Sequence, residues 1–428
     1  MFKASRPPPE PPPSEQVPTS VAEALGIPEW RDAVHREFRS QIQLGVYQKV
    51  RRTDVDGKPI YTLKWLFSRK RSGKAKARLV VQGYQFLPNH YYKDTFAPVA
   101  TISTVFLVLA LAAAFDLNLS AVDCRTAFLN SHLEDHEQFV VQVPEGFEQL
   151  GFIQGADDFV LNVQRALYGS PVAPRKWHKT LVKFLLEFGF KQCPDDQCLF
   201  YFQGKPNSSE GFHKFNFLVI ALWVDDLIIV RRGEKLYKSF LTAIKKRFSI
   251  TIVENPTDVL GLEITRDCEA GYILVHQKNR ILKLLRKWGM EESKCNGCPI
   301  DPSLAKKLMD KNPLEYRDLF KDVDTEAEQS YLSFNGVLRW LVNVRVDLLV
   351  PAYVIARFAH CCNAEHLPLV YSILRYLSRT MSHGRVFRRV ETSLKHYGMS
   401  DASHGGDQNC PRSLGGHLTF LAGGVVSV

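Results

Sequence analysis

No run of apolar residues in this 428-residue chain is long enough to span a bilayer. The two longest, Val105 to Phe115 and Phe215 to Val230, fall short of the roughly 20 residues a spanning helix needs. The second also carries two aspartates, so both runs belong in a core and no membrane partner is expected. Cysteine offers no framework either. The nine residues (Cys124, Cys193, Cys198, Cys268, Cys295, Cys298, Cys361, Cys362 and Cys410) are odd in number and share no repeated spacing, which points to a reducing compartment. Cys295 and Cys298 form one CxxC, but no second pair and no paired histidines follow at zinc-finger spacing, so structural zinc is not expected. Met1 to Ser20 is proline-rich without an apolar stretch; it is neither signal peptide nor anchor and is expected to be a disordered linker.

What is present is a chain with 45% hydrophobic and 11% aromatic residues, enough to build several subdomains. Lys plus Arg number 55 against 45 Asp plus Glu, a formal charge of +10, which suits a polyanionic partner and nucleic acid first. Trp30, Val34 and Phe38 recur at helical spacing, with Asp32, Arg36 and Glu37 expected to face water. Tyr61 to Phe67 and Arg78 to Gln85 read as strands around the basic segment Ser68 to Lys76, a hairpin with a cationic tip. Helices are predicted for Thr104 to Phe115, Pro174 to Phe190 and Glu234 to Phe248, and strands for Leu119 to Asp123 and for two runs within Phe217 to Val230 joined at Asp225. That order predicts an α+β fold with antiparallel strands layered on helices.

Asp225 and Asp226 interrupt a run that belongs in a core. Burying unpaired charge there costs several kcal/mol, on the order given for buried ions, unless a partner compensates it. A divalent cation is one such partner, and hard carboxylate oxygens suit Mg²⁺ better than zinc. A polar hairpin turn facing water is the other reading, and the local residues leave the two level. Asp123 tips the balance, because it ends a second apolar strand expected beside the Asp225 hairpin. Two ions shared there would activate a primer hydroxyl and hold a triphosphate.

At this point the residues resemble the copia-type retrotransposon reverse transcriptases from about Glu23 to Val428. The motifs that carry the resemblance run in order: Lys64-Trp65, Lys76-Ala77-Arg78-Leu79-Val80, Thr95-Phe96-Ala97-Pro98-Val99, Asp123-Cys124-Arg125-Thr126-Ala127-Phe128-Leu129, Pro144-Glu145-Gly146-Phe147, Leu167-Tyr168-Gly169, Pro174-Arg175-Lys176-Trp177 and Trp223-Val224-Asp225-Asp226. The resemblance implies a right-hand polymerase fold of fingers, palm and thumb, followed by a connection segment and an incomplete RNase H-like segment. It implies an RNA-directed DNA polymerase using two Mg²⁺ or Mn²⁺ ions, an RNA or DNA template-primer and dNTPs, inside the cell, in the cytoplasm, in virus-like particles or in the nucleus.

Carried over residue by residue, the resemblance implies that Asp123 and Asp225 bind both metals, that the Cys124 carbonyl assists, and that Asp226 is the third carboxylate. Lys76 and Arg78 would clamp the triphosphate, unless they belong to a solvated charge run. Phe128 would sit under the incoming sugar and exclude a 2′-hydroxyl, unless it is a core phenylalanine. Leu260 and Gly261 would grip the primer end, where glycine permits close backbone approach. Lys278, Arg280, Lys283, Arg286 and Lys287 would track phosphates on a thumb helix, or else form an ordinary solvated face.

The expected domains are a linker over 1–20, fingers and palm over 21–250, a thumb-like segment over 251–300, a connection over 301–390 and a truncated RNase H start over 391–428. Tyr331, Arg345-Val346-Asp347, His366 and Ile373-Leu374-Arg375-Tyr376-Leu377 resemble the connection. Of the RNase H carboxylates only Asp401 fits, so RNase H activity is expected to be absent. No integrase or protease motif precedes Glu23, which is expected of a polyprotein fragment or a gene model cut from a decayed element. Departures from the family pattern are Ser170-Pro171-Val172 after Leu167-Tyr168-Gly169, Trp223 for tyrosine, Gln82 for lysine and Phe106 for arginine. They read as drift, with a proline entering a helix start, and they keep open the alternative of a catalytically inactive, nucleic-acid-binding remnant.

Overall fold

A computed structural model describes residues 17–55, 57–70, 73–86, 94–203, 217–294, 297–309, 325–391, 393–403 and 414–428. Most of the expected linker, the tip residues Arg71 and Ser72, and Phe215, Cys295 and Cys410 lie outside them. The described residues fall into two units, one from Met1–Val99, Asp123–Lys191 and Phe240–Thr251, the other from Ala100–Val122, Gln192–Ser239 and Ile252–Val428. Helix and sheet are mixed in both, as an α+β chain requires. Among the described residues no helix is long and apolar enough to cross a membrane.

The first unit opens with helices Val21–Gly26 and Pro28–Gln43. Ser20 accepts from the Glu23 amide at 3.2 Å, so the last residues of the expected linker already cap a helix. Trp30, Val34 and Phe38 are buried at the predicted spacing. Glu37, expected in water, instead turns inward: its carboxylate accepts from the Leu79 amide at 3.3 Å and from the Gln41 side-chain amide at 2.7 Å. The helix packs on the basic hairpin, and a strand amide left unpaired under it would cost more than a partly buried carboxylate that accepts from it.

That hairpin pairs Leu63–Arg69 with Ala75–Val81, so the second strand begins three residues earlier than expected and ends at Val81. Ala75, Ala77, Leu79 and Val81 are buried, which leaves Lys76, Arg78 and Val80 together on the other face. Gly83–Gln85 is a 3₁₀ turn, not strand. The Trp65 indole donates to the Glu145 carbonyl at 3.0 Å, so two motifs recognised separately in the sequence meet in the core. A four-stranded sheet in the order Tyr47–Arg51, Phe159–Val163, Phe139–Gln142 and Ile60–Tyr61 lies in the same unit.

In the second unit the helix Ile102–Ala114 is apolar on nearly every side, and every side is used. Its residues share one core with Ala221, Ile228 and Val230 of one sheet, Ile264, Ile273 and Val275 of another, and Leu421 and Val426 near the end of the chain. The first sheet, most of whose residues are in this unit, has six strands in the order Ile250–Glu254, Asn118–Cys124, Asp226–Arg232, Phe217–Trp223, Leu199–Gln203 and Lys191–Gln192. The second runs Asp258–Val259, Leu262–Asp267, Tyr272–His276 and Gly384–Arg388.

Helices Lys278–Trp288, Pro302–Met309, Thr325–Leu341, Leu349–Arg357 and Leu367–Arg379 gather around Leu285, Phe334, Leu338, Phe358 and Leu374. Motif residues lock this layer: Arg345 grips Asp347, and Tyr376 donates to the same carboxylate at 2.9 Å. His366 is buried against Tyr331 and Phe358.

Candidate active site

Strands Phe217–Trp223 and Asp226–Arg232 pair antiparallel with Trp223 opposite Asp226, leaving a two-residue turn of Val224 and Asp225. Val224 has φ +55°, a left-handed conformation that a β-branched side chain adopts at a cost of about 1–3 kcal/mol. Such a turn persists only where its flanks over-determine it. Here Leu222, Leu227, Ile228 and Ile229 are completely or almost completely buried on either side. Asp225 and Asp226 are half-buried at the tip.

Asp123 is exposed and Cys124 buried at the end of Asn118–Cys124, the strand next to Asp226–Arg232 in the sheet order. Among the described residues no three His, Cys, Asp or Glu side chains form a group that encloses a metal ion.

The far ends of the same strands are tied by an arginine the sequence did not single out. Arg231 is buried; it donates to Ser120 and, at 2.9 Å, to Glu254, and its guanidinium lies 3.8 Å from the centre of the Tyr237 ring. Ser120 and Tyr237 each donate to the Glu254 carboxylate at 2.7 Å. Burial raises the Glu254 pKa, but these donors outweigh it and hold the carboxyl below its ordinary range. Burial and the Glu254 carboxylate push the Tyr237 hydroxyl up to about 12, so it remains a donor. The signal available in sequence was an arginine inside a strand otherwise apolar from Leu227 to Val230.

In the first unit the residues expected to hold a nucleotide form a line. The Arg78 guanidinium lies 5.0 Å from the Tyr168 ring centre, and the Tyr168 and Phe128 rings are 5.0 Å apart. Tyr168, which the sequence marks only as part of Leu167-Tyr168-Gly169, is the middle member that joins the other two. Its carbonyl accepts from the Val81 amide at 2.8 Å. Gly169 has φ +88°, and a Cβ there would stand 2.1 Å from the Val81 carbonyl oxygen. Only glycine fits.

The departures are accommodated unevenly, Ser170 being left with a buried hydroxyl that has no hydrogen-bond partner among the described residues. Ser170 and Val172 are buried, and Pro171 precedes the helix Ala173–Phe188 without entering it, so no helical hydrogen bond is lost. Pro174 occupies the first turn, where its missing N–H costs nothing. Gln82 accepts through one oxygen from Thr62, Tyr84 and Gln85, which a lysine cannot do. Phe106 is buried with the Arg385 guanidinium 4.2 Å from its ring centre. These contacts are how the fold accommodates Gln82 and Phe106.

Leu260 and Gly261 form the two-residue turn between Asp258–Val259 and Leu262–Asp267, with φ +54° and +80°, the pattern of a type I′ turn. On the helix Lys278–Trp288, Lys278, Lys283, Arg286 and Lys287 are exposed, while Arg280 lies over Trp340. Asp401 is exposed on the strand His396–Ser403, apart from any described metal-holding group.

Residues 45–302 match the family model described as Reverse transcriptase (RNA-dependent DNA polymerase). The chain is 28% identical over 424 residues to the Retrovirus-related Pol polyprotein from transposon TNT 1-94 of Nicotiana tabacum, a match covering 96% of this chain and 30% of that protein. It is 29% identical over 421 residues to the Pol polyprotein from transposon RE1 of Arabidopsis thaliana, covering 95% and 26%. The Truncated transposon Ty1-A Gag-Pol polyprotein of Saccharomyces cerevisiae is 24% identical over 432 residues, covering 92% and 32%. The chain thus spans about a third or less of these curated relatives. Among solved structures, the foamy viral protease-reverse transcriptase dRH in complex with ds DNA aligns over 92% of this chain and 54% of that chain, at 11% identity and a TM-score of 0.45.

Proposed function

The chain belongs to the reverse transcriptase (RNA-dependent DNA polymerase) family, and from that premise we propose that it adds deoxynucleotides to a primer 3′ hydroxyl on an RNA or DNA template. Its transposon Pol relatives bear out the copia-type resemblance, and the polymerase would act inside the cell as part of such a polyprotein. The observation that carries the reading is the strained Val224-Asp225 turn, which presents a carboxylate from an otherwise apolar hairpin.

Asp123 would be its partner. Arg231, late in one strand, donates to Ser120, early in the neighbouring strand. The donor set fits Mg²⁺ or Mn²⁺: carboxylate oxygens suit hard cations, and such ions at phosphate-handling sites use one or two carboxylates, with phosphates and water completing the shell. When bound, two such ions supply charge neutralisation and a more acidic primer hydroxyl. In this scheme Asp123, Asp225 and the Cys124 carbonyl would hold the ions, with Asp226 as the third carboxylate.

The remaining machinery belongs to the same proposal. Lys76 and Arg78, on one face of the basic hairpin, would take the triphosphate as fingers, with Arg78 held in place by Tyr168. Phe128 would lie under the sugar, Leu260-Gly261 against the primer end, and the exposed cations of Lys278–Trp288 along the duplex as a thumb. The six-stranded sheet would be the palm.

Extension of oligo(dT) on poly(rA) with Mg²⁺ or Mn²⁺ tests this, beside Asp225→Asn and Asp123→Asn. The expected result is extension by the native chain and at least about a hundredfold loss in either variant, with template-primer affinity retained. Binding without extension by the native chain would leave an inactive nucleic-acid-binding remnant.

A further inference from the structure

Tyr84 is 82% exposed, the most exposed large hydrophobic side chain among the described residues, yet its attachment is rigid. It sits in the 3₁₀ turn Gly83–Gln85, and its hydroxyl donates to the Gln82 side-chain oxygen at 2.5 Å. That oxygen also accepts from Thr62 at 3.0 Å and from Gln85 at 3.1 Å, while Gln85 accepts from the Thr62 amide at 2.9 Å. Just after the turn, Phe86 stacks on Tyr61 with ring centres 4.1 Å apart. Just before Tyr84, Gly83 lies against Gly169 so closely that a Cβ would stand 2.3 Å from the Gly169 carbonyl oxygen.

Solvent gains nothing from an aromatic ring held this firmly in it. A flat partner does, because its stacking energy is not spent on ordering the side chain. The location says which partner. Gly83 and Gly169 touch, and their chain neighbours are Tyr84 and Tyr168; Tyr168 in turn joins Arg78 and Phe128. Tyr84 therefore stands one backbone contact away from the line assigned above to triphosphate and sugar. With those two parts of the nucleotide already accounted for, the ring is left for the strand that the nucleotide pairs with.

We propose that Tyr84 is a stacking platform for an unpaired base of the template strand, an inference that rests on the polymerase reading. Such stacking is tolerant of sequence because every base has a π-face. Tyr84 follows directly on the strand Ala75–Val81 that carries Lys76 and Arg78, so the base platform and the triphosphate cations belong to one stretch of chain.

The test is equilibrium binding of the full chain to two primer-templates, one with a 5′ template overhang and one blunt-ended, measured for the native protein, Tyr84→Ala and Tyr84→Trp. The expected result is about tenfold weaker overhang binding for Tyr84→Ala, unchanged blunt-end binding, and retention of overhang binding by Tyr84→Trp. The exposed ring makes no core contact, so unaltered blunt-end binding also reports an intact fold. Equal overhang affinity in Tyr84→Ala and the native protein would overturn the platform while leaving the polymerase reading standing. Failure of the native chain to bind either duplex would overturn the polymerase reading and the platform with it.

Discussion

Arg345 donates twice to the Asp347 carboxylate, at 2.9 and 2.6 Å, and the same guanidinium also donates to the Thr380 carbonyl at 2.8 Å. Arg345 is only 1% exposed, so its charge depends on that carboxylate. Burial raises the Asp347 pKa, but the arginine and the Tyr376 hydroxyl outweigh it and hold the carboxyl below its ordinary value. Asp347→Ala should destabilise the helical layer by about 3 kcal/mol, the lower end for stranding one member of a buried pair, since Asp347 itself is partly exposed. Urea unfolding followed by Trp288 and Trp340 fluorescence checks it. A shift within measurement error would mean that water replaces the carboxylate.

Val224 stands at φ +55° between two buried strand ends. Glycine adopts that conformation without strain, so Val224→Gly should raise stability by about 1 kcal/mol after the entropy cost of glycine is set against the relief. Primer extension should fall at the same time, because the turn that aims Asp225 becomes loose. Opposite signs in a urea midpoint and an extension rate form the signature; a fall in both would assign Val224 to packing alone.

Glu37 gives the first unit a pH dependence. Burial raises its pKa above 4.5 despite the Leu79 and Gln41 donors and the nearby Arg78 and Lys76 charges. A carboxyl whose folded pKa is raised contributes stability that is fully present below its unfolded pKa and is lost as pH rises through the folded value. Glu37→Gln keeps an acceptor for Leu79 and should remove that loss. Thermal unfolding of the two proteins between about pH 4 and 8 should show the native chain falling relative to the variant as pH rises. Parallel curves would show that Glu37 titrates normally.

Phe128 is half-buried with its ring 5.0 Å from Tyr168, which holds it at one edge without enclosing it. If it excludes a 2′-hydroxyl, Phe128→Ala should raise ribonucleotide incorporation relative to deoxynucleotide by about tenfold or more, the scale of a removed steric contact in a pocket. Unchanged sugar selectivity with lowered stability would return the ring to the core.

Much of this was legible because local periodicity reports which face a residue takes. Trp30, Val34 and Phe38 gave the helix Pro28–Gln43, and the two apolar runs around Asp225 gave its hairpin. Periodicity does not report what lies across from that face. Glu37 read as a water-facing residue because its partner, the Leu79 amide, belongs to a strand elsewhere in the sequence. The acceptors and donors around Gln82 and Arg231 were hidden for the same reason, as was the pairing of Gly384–Arg388 with Tyr272–His276. Order of motifs announced the family, whereas the Arg78, Tyr168 and Phe128 line needed three-dimensional proximity to be seen.

The helix Ile102–Ala114 is covered in part by Leu421 and Val426, about 300 residues later in the chain. At about 5–20 residues per second, a ribosome needs on the order of 15–60 s to deliver that cover. Throughout that interval the most apolar helix among the described residues lacks part of its packing, and the strand Tyr272–His276, once made, waits about a hundred residues more for its neighbour Gly384–Arg388. The nascent second unit thus exposes the kind of apolar surface and unpaired strand edge on which aggregation begins. Chains cut short before Leu421 should therefore aggregate more than the full chain when each is expressed and its soluble fraction is measured.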